Sequence, residues 1–225
     1  MTFALLGRDP RTGQLGAAVT TSDIAVGARV PFAEAGLAVA VTQHRTDPRL
    51  GPRALELLRA GRTPQDAIDA VAASTPHRVW RQVAVLAADG THAAYNGAGV
   101  TPHVAALPGR DCLAVGNMLV DEGVAPAMVA TFEASDGPLA QRLADGLLAG
   151  ERAGGETGAL RSAALLVVER ESFPLVDLRV DDDAHPLEAL MRLWRTYAPW
   201  MRDFVTRALD PDAATGQPDP HHSST

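Results

Sequence analysis

Residues 2–23, TFALLGRDPRTGQLGAAVTTSD, decide how the rest of the chain is read. Asp9-Pro10-Arg11-Thr12-Gly13 is turn chemistry, proline presetting φ and glycine accepting positive φ. The flanks, near 3–7 and 15–21, are therefore the two strands of a hairpin. Phe3, Ala4, Leu5 and Leu6, then Leu15, Ala17, Ala18 and Val19, are apolar on both strand faces. An antiparallel strand with one wet face alternates apolar and polar residues instead. This hairpin is thus expected in a sheet covered on both sides. Its first strand starts directly behind Met1 and Thr2, where chain ends are ordinarily loose and polar.

Further strands are expected near 36–41, 81–87, 91–95, 112–116, 162–169 and 175–180, with Asp89-Gly90 as a tight turn between the second and third of these. A helix runs from Pro52 to Gly61. A second opens on Thr63-Pro64-Gln65-Asp66, with a capping Thr, Pro at the first helical position and an acid at the third. Helices also read over 122–134 and 138–149, the latter closed by Gly150. Strands and helices come in blocks, which implies α+β layers in place of a βαβ doubly wound fold. Residues 1–209 form one domain, with a core over 1–183 and a C-terminal helical element over 186–209. In that element Leu187, Leu190, Trp194, Tyr197, Met201 and Phe204 recur at helical spacing, and Pro199 marks a kink. The stripe suits core packing or a homo-oligomer contact. Residues 210–225, DPDAATGQPDPHHSST, read as a disordered tail.

Composition excludes several functions. The 225 residues carry a net charge of −7, from 20 basic and 27 acidic side chains, with no basic cluster. A phosphate-binding footprint for nucleic acid or an anionic membrane cannot be built from that. No apolar run approaches the length of a membrane span, and the first residues lack the pattern of a secretory signal. Cys112, the sole cysteine, cannot form an internal disulfide, so a reducing, cytoplasmic setting is expected. All 20 basic residues are arginine. Without lysine there is no Walker A loop, no Schiff base and no lysine general base.

The familiar catalytic motifs are missing too: no G-x-S-x-G elbow, no H-E-x-x-H helix and no C-x-x-C pair. Gly97-Ala98-Gly99 lacks a third glycine and opens no helix, so no dinucleotide site is read there. Asp181-Asp182-Asp183 with His185 precedes the last helix, where acids suit the positive end of its dipole, and no metal or other cofactor is expected. Cys112 reads as a packing thiol. A serine hydrolase built from Ser162, His44 and Asp47 would lack its elbow. Thr2 remains. A threonine hydroxyl needs a base within reach, and an N-terminal threonine carries one on its own Cα, an α-amine with a pKa of about 8. Removal of Met1 would expose it.

A nucleophile heading one strand of a doubly covered hairpin resembles the N-terminal-nucleophile (Ntn) hydrolases. The chain is also similar to the bacterial family called domain of unknown function 1028, placed in that superfamily. The likeness runs from Met1 to about Asp183. It rests on MTFALLGRDPRTGQLGAAV, VGARVPFAEAG, VTQHRTDPRLGPRALELLRAG, RQVAVL, VGNMLV, RSAALLVV and DLRVDD in order. The resemblance implies a four-layer αββα sandwich of two mostly antiparallel sheets. It further implies an amidohydrolase in which Thr2 attacks a small amide, lactam or N-acyl bond. The proteasome-type lysine has no counterpart here. Thr21 or Asp23, among Thr20–Asp23 at the end of the return strand, is expected to orient the amine. Gln43 and Asn117 are candidate oxyanion donors. Arg29, Arg45 and Arg161 are candidates for the missing positive charge or for holding a substrate carboxylate, with His44 beside them. The alternative is a non-catalytic binding or scaffold protein that keeps the fold.

Overall fold

The computed structural model describes residues 1–214. The hairpin consists of β1 (Thr2–Asp9) and β2 (Gln14–Thr21), in register from Phe3 opposite Thr20 to Asp9 opposite Gln14. Asp9 O accepts from Gly13 N at 2.9 Å, and Gly13 has a φ of 77°, the left-handed conformation its lack of Cβ allows. The next strands are β3 (Pro31–Glu34), β4 (Ala38–Gln43), β5 (Gln82–Ala87) and β6 (His92–Asn96). They are followed by β7 (Ala105–Gly109), β8 (Cys112–Asn117), β9 (Ser162–Val168) and β10 (Val176–Val180). Two antiparallel sheets result. One has six strands in the order β10-β9-β2-β1-β8-β7, and the other has four, β3-β4-β5-β6. The hairpin is the centre of the larger sheet.

Helices α1 (Leu50–Arg59) and α2 (Pro64–Ala73) cover the smaller sheet, while α3 (Val124–Ala134), α4 (Leu139–Arg152) and α5 (Pro186–Tyr197) cover the larger. Period-two alternation sorts the hairpin into two cores. Phe3, Leu5 and Ala18 pack with Met128, Phe132, Leu143 and Leu147 under the helices. Ala4, Leu6, Ala17 and Val19 meet Val39, Val41, Ala84 and Leu86 of the other sheet. A third core joins Ala40, Val83 and Val85 to Leu55, Ile68 and Val71. The four layers are helix, sheet, sheet, helix: the αββα order expected of an Ntn-hydrolase-like sandwich. Gly146 sets the spacing of α4 on β1, since a Cβ there would stand 2.4 Å from Leu5 Cδ2.

Several boundaries differ from the sequence reading. Gly36, with a φ of 71°, belongs to the turn before β4, which starts two residues later than expected and extends to Gln43. Two strands, β3 and β7, go unread in the sequence. Both are sheet edges carrying a proline, Pro31 and Pro108, which a central strand would not tolerate. The last helical element breaks at Pro199 into α5, a 3₁₀ turn over Ala198–Trp200 and α6 (Met201–Leu209). Leu187, Leu190 and Trp194 of the stripe are core residues of this chain. Of the proposed tail, Pro211–Ala213 form a 3₁₀ turn, and 215–225 lie outside the described residues.

Candidate active site

Thr2 begins β1 opposite Asn117 of β8, and Thr21 ends β2 beside it. Both threonines are buried. Thr2 Oγ1 lies 2.5 Å from Met1 O and 3.2 Å from Thr21 Oγ1, and the Thr21 hydroxyl also bonds to Met1 O. Two hydroxyls thus converge on one carbonyl. They open into a cleft of about 130 Å³ whose walls include Asp23, Arg29, His44, Arg45 and Thr46.

The first wall is the β2–β3 connection, a 3₁₀ turn over Val26–Ala28. Ser162 at the head of β9 fastens it. Ser162 Oγ donates to Asp23 O at 2.7 Å and accepts from Val26 N at 3.1 Å. The pinned turn presents Arg29, whose Nη2 donates to Ile24 O at 2.6 Å and stands 3.9 Å from the Asp23 carboxylate. Arg29 Nε is buried without a partner among the described residues. Ser162 is wholly buried and spends its hydroxyl on backbone, and Asp47 is paired with Arg49 at 2.8 Å, so the serine-hydrolase reading fails. Arg49 also holds the Asp47 carboxyl below its usual range.

The second wall follows β4. His44 and Arg45 have φ values of 55° and 44°, consecutive left-handed residues that are not glycine. Each such residue costs of order 1–3 kcal/mol and persists only when its surroundings hold it there. Here Trp80 does so: its carbonyl is 2.9 Å from His44 Nδ1, its ring stacks on His44 at 6.3 Å, and Arg45 Cζ sits 4.5 Å above it. Arg81 adds a guanidinium bond to Arg45 O. The backbone after β4 is strained so as to aim two side chains along one indole.

Behind the cleft lies a buried amide cluster. Gln82 Oε1 accepts from Gln43 Nε2 at 2.6 Å and from Asn117 Nδ2 at 2.9 Å. Its Nε2 donates to Asn96 Oδ1, Ala105 O and Gly116 O at 2.8, 3.1 and 2.9 Å. Gln43 and Asn117, read as oxyanion donors, therefore point their N–H groups at Gln82 and lie outside the cleft lining.

The model of the family of unknown function DUF1028 matches residues 2–190. The chain belongs to that family. The crystal structure of a DUF1028 protein from Silicibacter pomeroyi superposes with a TM-score of 0.83 at 33% identity, over 90% of this chain and 94% of that one. Anbu (ancestral beta-subunit) from Yersinia bercovieri aligns with a TM-score of 0.44 at 10% identity, over 91% and 97%. No curated protein matches the sequence.

In this DUF1028 chain Arg161 also sits apart from the cleft, forked onto Asp182 at 2.7 and 2.8 Å. Its contribution to the site is its backbone N–H, which donates to Thr21 O at 2.9 Å. Asp183 Oδ1 accepts from His185 N at 2.7 Å in the turn before α5. Among the described residues no cluster of three His, Cys, Asp or Glu could hold a metal, and no helix is long and apolar enough to cross a membrane. Burial pushes the Cys112 thiol up to about 12, which leaves it un-ionised near neutrality.

One group escaped the sequence reading. Glu156 is buried, accepts from Ser22 N at 2.6 Å through Oε1, and leaves Oε2 without a partner among the described residues. Desolvation raises its carboxyl above the ordinary range, against a lowering pull from Ser22 and from the chain's α-ammonium. An acid in the Gly154–Gly158 connector looks like solvated loop, and no spacing signal marks it.

Proposed function

We propose that this chain is an Ntn-type amidohydrolase acting on a small amide, lactam or N-acyl bond once Met1 has been removed. Thr2 Oγ attacks the carbonyl carbon, and its proton passes to the Thr2 α-amine. The C–N bond breaks, the leaving amine takes that proton, and the acyl group remains as an ester on Thr2. Water, deprotonated by the same amine, hydrolyses the ester and releases a carboxylic acid. Thr21 orients the nucleophile, and Arg29 supplies the positive charge for which there is no lysine. The observation that carries this reading is the junction of Thr2 Oγ1 with Thr21 Oγ1 at 3.2 Å, inside a cleft that Arg29 also lines.

Intact mass and turnover test it together. Protein lacking Met1 is expected to hydrolyse members of a panel of small amides, lactams and N-acyl amino acids. Thr2→Ser should retain part of that activity, and Thr2→Ala should lose it by at least about a hundredfold. Thr2→Ala turning over as fast as wild type would refute the assignment. The alternative, a binding protein that keeps the fold, is favoured by one observation: with Met1 in place, its carbonyl occupies both hydroxyls. Retention of Met1 in protein from the native cell would select that reading.

A further inference from the structure

Arg45 differs from the other cleft cation. Arg29 faces Asp23 at 3.9 Å and donates to Ile24 O. The guanidinium of Arg45 makes no hydrogen bond or ion pair among the described residues, although the chain carries a net charge of −7. Asp47, two residues on, is turned away and paired with Arg49 at 2.8 Å and Arg81 at 3.9 Å. A guanidinium lying on an aromatic face keeps its ring-side surface occupied and its in-plane N–H fork free. That fork matches the two oxygens of a carboxylate. The left-handed backbone at His44 and Arg45 fixes the arrangement on the cleft wall before any ligand arrives.

We propose that Arg45, held on Trp80, is a specificity residue that binds a carboxylate on the substrate. The substrate class is therefore narrowed to amides bearing a free carboxylate near the scissile bond, such as N-acyl amino acids. This rests on the hydrolase reading for the word substrate, but the binding event stands without it.

The experiment uses full-length protein lacking Met1, with Thr2→Ala in parallel so that binding is read without turnover. The probes are N-acetyl-L-alanine and N-acetyl-L-alaninamide, which differ only in carboxylate against neutral amide. Affinities come from calorimetry, and the Trp80 indole N–H is followed by NMR. The acid is expected to bind at least tenfold more tightly than the amide and to shift the Trp80 signal. Arg45→Gln should bring the ratio below two, and Arg45→Lys, with charge but no fork, should fall between. Arg45→Gly gives the same loss while suiting the left-handed backbone, which separates lost recognition from lost folding. Equal affinities in wild type, no binding of the acid, or an unchanged ratio in Arg45→Gln overturns the proposal. If the Arg45-dependent preference holds while Thr2→Ala does not alter turnover, the nucleophile assignment falls and carboxylate recognition survives. If both probes are cleaved with equal kcat/KM in a Thr2-dependent way, the reverse follows.

Discussion

Gln82→Met should be among the most damaging conservative changes in this protein, because one side chain joins both sheets directly behind the cleft. The Gln82 amide is wholly buried and makes five hydrogen bonds, reaching Gln43 and Asn96 in the smaller sheet and Ala105, Gly116 and Asn117 in the larger. Methionine fills the same length without donors or strong acceptors. Gln43 Nε2, Asn117 Nδ2 and Gly116 O then lose their partner in the interior, at about 1–3 kcal/mol each. Partial repair is open to two of them. Gln43 Oε1 and Asn117 Oδ1 have no partner at present, and rotation of either amide can pair the residues with each other. One such bond leaves two groups unpaired and sets a floor of about 2 kcal/mol, against about 3–9 if no repair occurs. For a chain of this size each kcal/mol moves Tm by about 2–4 °C, so a fall of at least about 4 °C is expected. Thermal unfolding followed by circular dichroism measures the shift, and urea unfolding measures the free energy, with an unchanged m-value showing that stability alone has moved. A Gln82→Met protein within about 1 kcal/mol of wild type would refute the idea that this cluster clamps the sheets.

Two further outcomes follow from other buried groups. Ser162→Ala strips partners from Asp23 O and Val26 N, so a loss of about 2–4 kcal/mol is expected, with faster amide exchange at Val26 as the direct readout; unchanged exchange there would show that Ser162 does not fasten the Arg29 turn. Glu156 has a folded-state pKa raised above its ordinary value, so stability is fully present below that ordinary range and declines as pH rises through the folded value. Glu156→Gln should therefore raise Tm near neutrality and match wild type in acid, and a variant less stable than wild type at pH 7 would contradict this.

Much of the architecture was legible because the hairpin breaks the usual alternation. Phe3 to Leu6 is apolar at every position, and only burial on both faces accounts for that. The edge strands were not legible, since Pro31 and Pro108 are breakers unless one knows that their N–H side meets no neighbour. Within the site, strand ends pointed to Thr21, Asp23, Arg29, His44 and Arg45, and the fold gathers all five around Thr2. Gln43 and Asn117 also end strands, yet their side chains turn toward Gln82, a residue whose period-two position looks like any other in β5. Which way a strand-end amide turns depends on what lies across the sandwich, and one sequence does not carry that. Glu156 was hidden for a similar reason: its hydrogen-bond partner, Ser22 N, lies more than a hundred residues away in the chain.

The absence of lysine limits what a basic side chain of the cleft can do. A lysine ammonium beside a nucleophile can both stabilise charge and exchange a proton. A guanidinium in a protein keeps its proton and cannot serve as a base. If Arg29 is the cation of this cleft, its part is confined to holding charge, and it is partly spent on Ile24 O and Asp23 already. Under the proposed mechanism, proton transfer then falls to the Thr2 α-amine alone.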